Sequence, residues 1–141
     1  MDELTLPFLG AERGARQYPF GDLLRAGATL AAGSDWPVSS PDPLQTIHVA
    51  VNRIAPGAPE DTPAFLPEQR LDLGAAIAAY TAGSAYVNHL DDITGSITAG
   101  KSADLVVLDR DPFAGPPEEI AATRVLETFV EGQRVHAAQD A

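Results

Sequence analysis

Residues 28–43 read ATLAAGSDWPVSSPDP, and this stretch decides the fold that the sequence predicts. Its first part, residues 28–32, is a short apolar run beside glycines, which is typical of a buried strand. A strand buried on both faces indicates a parallel sheet covered by helices, so the sequence predicts an α/β fold. The run ends at one carboxylate, Asp35, and prolines follow at positions 37, 41 and 43.

Asp35 is the sharpest functional candidate in the chain. A polar residue at the carboxyl end of a buried parallel strand lies where α/β barrels and open sheets place catalytic groups. A carboxylate there can ligate a divalent metal or accept a proton from a metal-bound water. It can equally cap the turn by accepting hydrogen bonds from backbone N–H groups, and position alone leaves these two roles open. The adjacent Trp36 is a candidate substrate contact, although core packing explains a single tryptophan as well.

The segments around this stretch carry helix signals. Residues 20–26 predict a short helix that ends at Gly27, and residues 43–53 predict a second helix with Asp42 as its N-cap. A proline-rich loop over residues 55–70 follows, and then an alanine-rich helical segment with Asp72 as its candidate N-cap. Gly83 is expected to separate that segment into two helical pieces.

The pattern changes near Gly95 from helical to β-rich. Residues 103–109 predict a strand, and two β-rich runs around residues 131–133 predict a hairpin. We therefore expect two parts, residues 1–94 with the last strand and helices, and residues 95–141 with the later strands. Neither part forms a complete sheet, because one parallel strand needs neighbours and three strands are marginal.

Composition excludes several classes of function. The 141 residues have a net charge of −11, which disfavours binding to a nucleic-acid backbone. The chain has no cysteine, so neither disulfides nor thiolate metal sites form. The start carries no secretion signal and no run is long enough to span a membrane, so a cytoplasmic location is the expectation. His48, His89 and His136 lack metal-ligand spacing and are predicted to be structural or surface residues.

Three stretches of the sequence together resemble a known family. They are LLRAGATLAAGSDWPVSSPDPLQTIHVAVNR (23–53), AIAAYTAGSAYVNHLDDITGSITAGKSADLVVLDRDPF (76–113) and ETFVEGQRVH (127–136). They resemble the C-terminal region of the amidohydrolase superfamily. The GSDWPV segment and the following A-V-x-R look most like the YtcJ-like amidohydrolases, the group that contains N-substituted formamide deformylases.

The resemblance implies a metal-dependent hydrolase of amide-type C–N bonds. Its fold is a TIM-like (β/α)8 barrel beside a small β-sandwich, and residues 1–94 would carry the last barrel strand and its helices. Residues 95–141 would carry the C-terminal strands of the sandwich, so ADLVVLD would be structural. Asp35 maps onto the aspartate of the eighth strand, which ligates a divalent metal, usually zinc, and acts as the general base.

The chain is much shorter than the roughly 250 residues of such a barrel. Counterparts of the N-terminal HxH motif, the bridging Lys or Glu and the mid-barrel histidines are missing from this sequence. We therefore expect the chain to be incomplete and inactive alone, as a fragment, a truncated product or one piece of a split enzyme. The partners left open are a missing N-terminal half, a small-molecule substrate and a second copy. A non-catalytic, self-associating module, or a small-molecule binding domain using Trp36, is the alternative.

Overall fold

Helices occupy the first part of the chain and strands the last. The computed structural model describes residues 5–139. The α-helices are α1 (Leu6–Gly14), α2 (Phe20–Arg25), α3 (Pro43–Asn52), α4 (Leu73–Ala78) and α5 (Ser84–Val87). A π-helical turn (Ala79–Gly83) joins α4 to α5, and two 3-10 turns cover Pro67–Gln69 and Pro117–Ala122. The strands are β1 (Leu105–Leu108), β2 (Val125–Val130) and β3 (Gln133–Ala137). Over residues 5–139 no helix has the length and apolar character that crossing a membrane requires.

The predicted helix boundaries are confirmed by their caps. The Asp42 carboxylate accepts a hydrogen bond from the Leu44 N–H at 2.9 Å, and Asp72 accepts one from the Ala75 N–H at 2.8 Å. These bonds satisfy backbone donors that the first turn of a helix leaves without a partner. Helix α2 ends at Arg25 with Ala26 as its C-cap, and the predicted glycine, Gly27, follows with a φ of 87° that lets the chain leave the helix.

The helical part and the strand part share one small core. Its buried members come from α3, the residue before Asp72, α4 and the 3-10 turn over Pro117–Ala122; they are Ile47, Leu71, Ala76 and Ile120. Ile120 is only 2% exposed, and burying such a side chain contributes about 2 kcal/mol. The Asn52 amide also donates to the Pro117 carbonyl oxygen at 2.8 Å. The segment between β1 and β2 is thereby fixed to α3.

The predicted strand over residues 28–32 is wrong for this structure. The segment has no regular secondary structure, and Ala28, Thr29 and Ala31 are exposed rather than buried on both faces. Its backbone contacts are made by a helical turn, because the Ala32 N–H donates to the Ala79 carbonyl at 3.0 Å. A parallel strand exists only beside another strand, and residues 5–139 place none next to this segment.

Gly83 lies at the boundary where it was expected to separate two helical pieces. It ends the π-helical turn and precedes α5, but its φ of −65° keeps the backbone helical. The π-helical turn and α5 therefore differ in their hydrogen-bond pattern, but the helical backbone runs through Gly83 without a break. The reason for a glycine here is the approach of the Leu30 carbonyl, which leaves no room for a side chain.

The C-terminal strands form one antiparallel sheet in the order β1-β2-β3. Leu105 pairs with Phe129, and Glu127 pairs with Ala137. The predicted hairpin is confirmed, since Glu131 and Gly132 connect β2 to β3 with φ values of 50° and 78°. Positive φ at both central residues is the requirement of the tight turn that matches strand twist. The boundary between residues 94 and 95 stays a prediction.

Candidate functional site

The turn that follows the 28–33 segment is held by serine side chains and the backbone. The Trp36 N–H donates to the Ser34 hydroxyl oxygen at 3.3 Å, and the Val38 N–H donates to the Asp35 carbonyl at 2.8 Å. The Ser39 hydroxyl donates to the Ser34 carbonyl and closes the turn across its base. Asp35 was predicted either to cap this turn or to have a chemical role. The capping bonds are made by serine side chains and the backbone.

The Asp35 carboxylate takes no part in that turn. It has no hydrogen-bond or ion-pair partner among residues 5–139, and the residue is exposed. Its φ of 55° lies in the left-handed region, which aspartate tolerates better than most residues. The Asp35 carboxylate is therefore exposed, and the hydrogen bonds that hold the turn do not involve it.

Trp36, the residue after Asp35, was predicted to be either a substrate contact or a core residue. It is 67% exposed, and it is absent from the lining of the apolar groove between α2 and α3. A tryptophan packed in the core would be buried, so core packing does not account for it. Its role as a substrate contact stays a prediction.

The three histidines lie outside the turn that carries Asp35, and none bonds to it within residues 5–139. His48 is buried in α3, where its Nδ1 lies 3.2 Å from the Asn52 amide nitrogen. Burial lowers the pKa of His48, and the negative charge of Glu118 opposes that shift. His89 and His136 are exposed, one after α5 and one on β3. These positions agree with the structural and surface roles predicted for them.

No metal centre is formed by residues 5–139. They contain no group of three His, Cys, Asp or Glu side chains placed to hold an ion. A catalytic zinc takes about three protein ligands, and Asp35 offers one carboxylate. The described residues alone therefore do not fit a catalytic metal, and any such centre needs ligands from elsewhere.

An apolar groove runs between α2, α3 and the 29–33 segment; we refer to it as the α2–α3 groove. Its volume is about 700 Å³. Its lining includes apolar side chains from both helices and from the residues that follow, among them Phe20, Leu23, Val49, Phe65 and Leu71. Arg53 is the one charged residue in the lining as described over residues 5–139.

Arg53 was missed as a candidate by sequence reasoning. It is 8% exposed, its guanidinium lies 5.5 Å from the Phe65 ring centre, and its Nε donates to the Phe65 carbonyl at 2.8 Å. Burial lowers the pKa of Arg53, while Glu68 and Tyr18 oppose the shift. Arg53 thus closes the base of the proline-rich loop. The only sequence signal was the A-V-x-R pattern at residues 50–53, which marks Arg53 but does not indicate that it contacts Phe65.

Lys101 and Asp104 hold the start of β1 in place. The Asp104 carboxylate accepts hydrogen bonds from the Glu131 N–H at 2.9 Å and the Thr94 hydroxyl at 2.8 Å, which hold its pKa below the usual value. The Lys101 ammonium instead donates to the backbone carbonyls of Asp91 and Thr94. Asp104 thus joins Thr94 to the hairpin turn and Lys101 fixes the loop after α5 to the segment before β1, which agrees with the structural role expected here.

Comparison with known proteins decides the family. The family model described as "Amidohydrolase family" matches residues 1–136. The chain belongs to the amidohydrolase family. This confirms the resemblance on which the sequence interpretation rested, and the match extends through both the helical part and the sheet.

Three curated relatives are similar over most of this amidohydrolase chain. "Protein LONG AFTER FAR-RED 3" of Arabidopsis thaliana is 37% identical over 129 residues, 91% of this chain and 21% of the relative. "Putative amidohydrolase YtcJ" of Bacillus subtilis (strain 168) is 33% identical, over 91% of this chain and 24% of the relative. "N-substituted formamide deformylase" of Arthrobacter pascens is 34% identical, over 82% of this chain and 20% of the relative. The chain thus spans at most about a quarter of these relatives.

A solved structure shares the fold. The amidohydrolase from Thermotoga maritima MSB8 superposes with a TM-score of 0.59 at 24% identity. The likeness covers 86% of this chain and 26% of that one. The mixed helix and strand arrangement is therefore that of part of an amidohydrolase fold.

Proposed function

We propose that this chain is the C-terminal part of a metal-dependent amidohydrolase that cleaves amide-type C–N bonds. In that enzyme Asp35 is a metal ligand and the general base, and the metal is zinc. Family membership supports the hydrolase class, and the named deformylase supports the bond type. The observation that carries the proposal is the Asp35 carboxylate, which is exposed and has no partner among residues 5–139 although its turn is fully built.

The rest of the proposed site lies outside this chain. One carboxylate supplies one of about three ligands, so the other ligands come from the polypeptide that makes up most of each relative's length. In that complete enzyme the 28–33 segment would be the eighth strand of a (β/α)8 barrel, and β1–β3 would belong to the sandwich. The isolated chain is then inactive, because its ligand set is incomplete.

A second candidate function is a non-catalytic module that associates with itself. It is favoured by the large apolar side chains exposed at the surface. Ile97 is 91% exposed, Val38 is 81% exposed and Phe8 is 78% exposed. Each of these side chains would lose contact with water if another chain covered it, and that burial would favour association.

The test is a chimera of the Arthrobacter pascens deformylase in which this chain replaces the matching segment. We expect the chimera to bind zinc and to hydrolyse an N-substituted formamide. Asp35→Asn should lower kcat by roughly 10³-fold, as removal of a general base and ligand does. Asp61→Asn, also exposed and without a hydrogen bond among residues 5–139, is the matched control and should leave kcat unchanged.

Two results would contradict the proposal. The first is full activity in the Asp35→Asn chimera, which would remove Asp35 from the chemistry. The second is stoichiometric zinc bound by the 141-residue chain alone, which would show that its ligand set is complete. Zinc content is measured by elemental analysis and activity by release of formate.

A further inference from the structure

The loop that carries Asp35 is held at both ends by one side chain, Tyr80. This loop covers residues 34–42, between Gly33 and the start of α3. The Tyr80 hydroxyl donates to the Gly33 carbonyl oxygen at 3.3 Å, and it hydrogen-bonds to the Thr46 hydroxyl in the first turn of α3. A hydroxyl both donates and accepts, so one phenol can join the two groups. Tyr80 thus connects the residue before the loop to the helix after it.

Tyr80 belongs to the π-helical turn over Ala79–Gly83. Such turns are frequent at functional sites. The Ala79 carbonyl accepts from the Ala32 N–H at 3.0 Å, and the Ala32 carbonyl accepts from the Ser84 hydroxyl at 2.9 Å. The π-helical turn and the residue after it therefore hold the backbone of Ala32 as well as that of Gly33, directly before the loop.

The orientation of the Asp35 carboxylate depends on this backbone. The carboxylate has no hydrogen-bond or ion-pair partner among residues 5–139, so no bond of its own fixes its direction. The bonds made by Ser34 and Ser39 shape the turn from inside the loop. The bond from Tyr80 instead fixes the loop against the helices, two residues before Asp35.

We infer that Tyr80 is a positioning residue for Asp35. Its hydroxyl holds the loop so that the carboxylate keeps the orientation in which it binds the metal and accepts a proton. The inference rests on the proposed function and adds a residue to the proposed site. Tyr80 acts through Asp35 and needs no contact with the substrate.

Two magnitudes separate positioning from stability. Removing one hydrogen bond changes the ratio of folded to unfolded molecules by about tenfold or less, and nearly all molecules of a typical domain then stay folded. Gly33 is exposed, so water can replace the phenol at its carbonyl. Misplacing a reacting group by about 1 Å can lower the rate about 100-fold. Loss of the hydroxyl should therefore change kcat much more than the folded fraction.

The test is Tyr80→Phe in the deformylase chimera. The phenyl ring keeps its packing against the core, and only the hydroxyl is lost. We expect kcat to fall by about 10- to 100-fold, while KM and the zinc content stay within about twofold of the parent chimera. Tyr86→Phe is the matched control and should leave kcat unchanged, because Tyr86 is exposed on α5 and its hydroxyl makes no hydrogen bond among residues 5–139.

A double variant shows whether Tyr80 acts through Asp35. In the Asp35→Asn chimera, Tyr80→Phe should lower kcat no further, because the carboxylate that the phenol positions is already absent. The effects of the two changes on urea unfolding should remain additive, since Asp35 makes no bond to Tyr80. A role of Tyr80 in stability alone would not separate the two measurements in this way.

The 141-residue chain gives a measurement that needs neither metal nor activity. The NMR order parameter of the Asp35 N–H should fall in Tyr80→Phe by at least about 0.1, on a scale where a rigid backbone gives about 0.85. In Tyr86→Phe it should equal that of the parent chain.

Three results would overturn the inference. They are a Tyr80→Phe chimera with the kcat of the parent, the same loss of kcat when the change is added to Asp35→Asn, and an unchanged order parameter at Asp35. Failure of the proposed function is recognised separately. Full activity of the Asp35→Asn chimera removes Asp35 from the chemistry, whereas an inactive Asp35→Asn beside a fully active Tyr80→Phe removes only the positioning role.

Discussion

Gly83 lies directly against the carbonyl oxygen of Leu30. A β-carbon at position 83 would clash with that oxygen, at a distance of only 1.9 Å. The two residues are joined by no hydrogen bond, yet their approach sets the distance between the 28–33 segment and the helical turn before α5. A backbone carbonyl cannot rotate away as a side chain can. Only glycine fits at this position.

Gly83→Ala is expected to lower the free energy of unfolding by about 3 kcal/mol, since the chain must shift to relieve the overlap. Urea unfolding followed by circular dichroism measures the change. Gly115→Ala is the matched control, because its β-carbon would lie 3.6 Å from the Glu119 carboxylate, an ordinary contact. Equal stability of the two variants would show that the approach of Leu30 does not constrain position 83.

Asp72→Ala is expected to cost about 1 kcal/mol, because it removes the acceptor for the Ala75 N–H at the start of α4. Asp61→Ala removes the same charge from an exposed loop position and should stay within about 0.5 kcal/mol of the parent. Thermal unfolding separates the two effects. A loss of the same size in both variants would assign the effect to charge rather than to the cap.

Asp109 makes stability depend on acid pH. Its carboxylate accepts from the Arg124 N–H at 2.9 Å and from the Arg110 side chain at 3.2 Å, and these bonds lower its pKa from 3.8 to about 2. Because the folded pKa is depressed, the stabilisation is present above the unfolded pKa and is lost as pH falls from about 4 towards 2. Asp109→Asn should therefore be less stable than the parent near neutral pH.

The difference in unfolding free energy between the parent and Asp109→Asn should be constant above about pH 4 and shrink below it. Urea unfolding at a series of pH values measures it. A difference that stays constant down to pH 2 would mean that the carboxylate is not held by these bonds.

Asp35→Asn is expected to leave the free energy of unfolding within about 0.5 kcal/mol of the parent. The carboxylate has no partner among residues 5–139, and asparagine tolerates the left-handed backbone at this position as aspartate does. Urea unfolding of the isolated chain tests this. A marked loss of stability would assign Asp35 to the turn itself, which is the alternative to a catalytic role.

Local signals in the sequence predicted much of the fold. Asp42 and Asp72 were identified as N-caps because a cap depends on a side chain and the next three residues. The hairpin was predicted from two β-rich runs around residues 131–133, and the structure narrows its turn to Glu131 and Gly132. Asp35 was found in the same way, from its place after an apolar run, and its role stays a prediction.

The tertiary structure alone decided what surrounds the 28–33 segment. Its apolar residues indicated a strand, but a strand is defined by a neighbour that residues 5–139 do not provide, and the turn beside Gly83 takes that place on one side. The burial of Arg53 against Phe65 could not be predicted from the sequence either, since it joins residues twelve positions apart across a loop. The sequence by itself determined the caps and the hairpin, because these depend on residues close together in the chain, and it indicated the family through motifs that need no contact to be recognised. Only the packed chain decided which groups bond the segment, because Ala32 and Gly33 accept from the hydroxyls of Ser84 and Tyr80, about fifty positions along the chain.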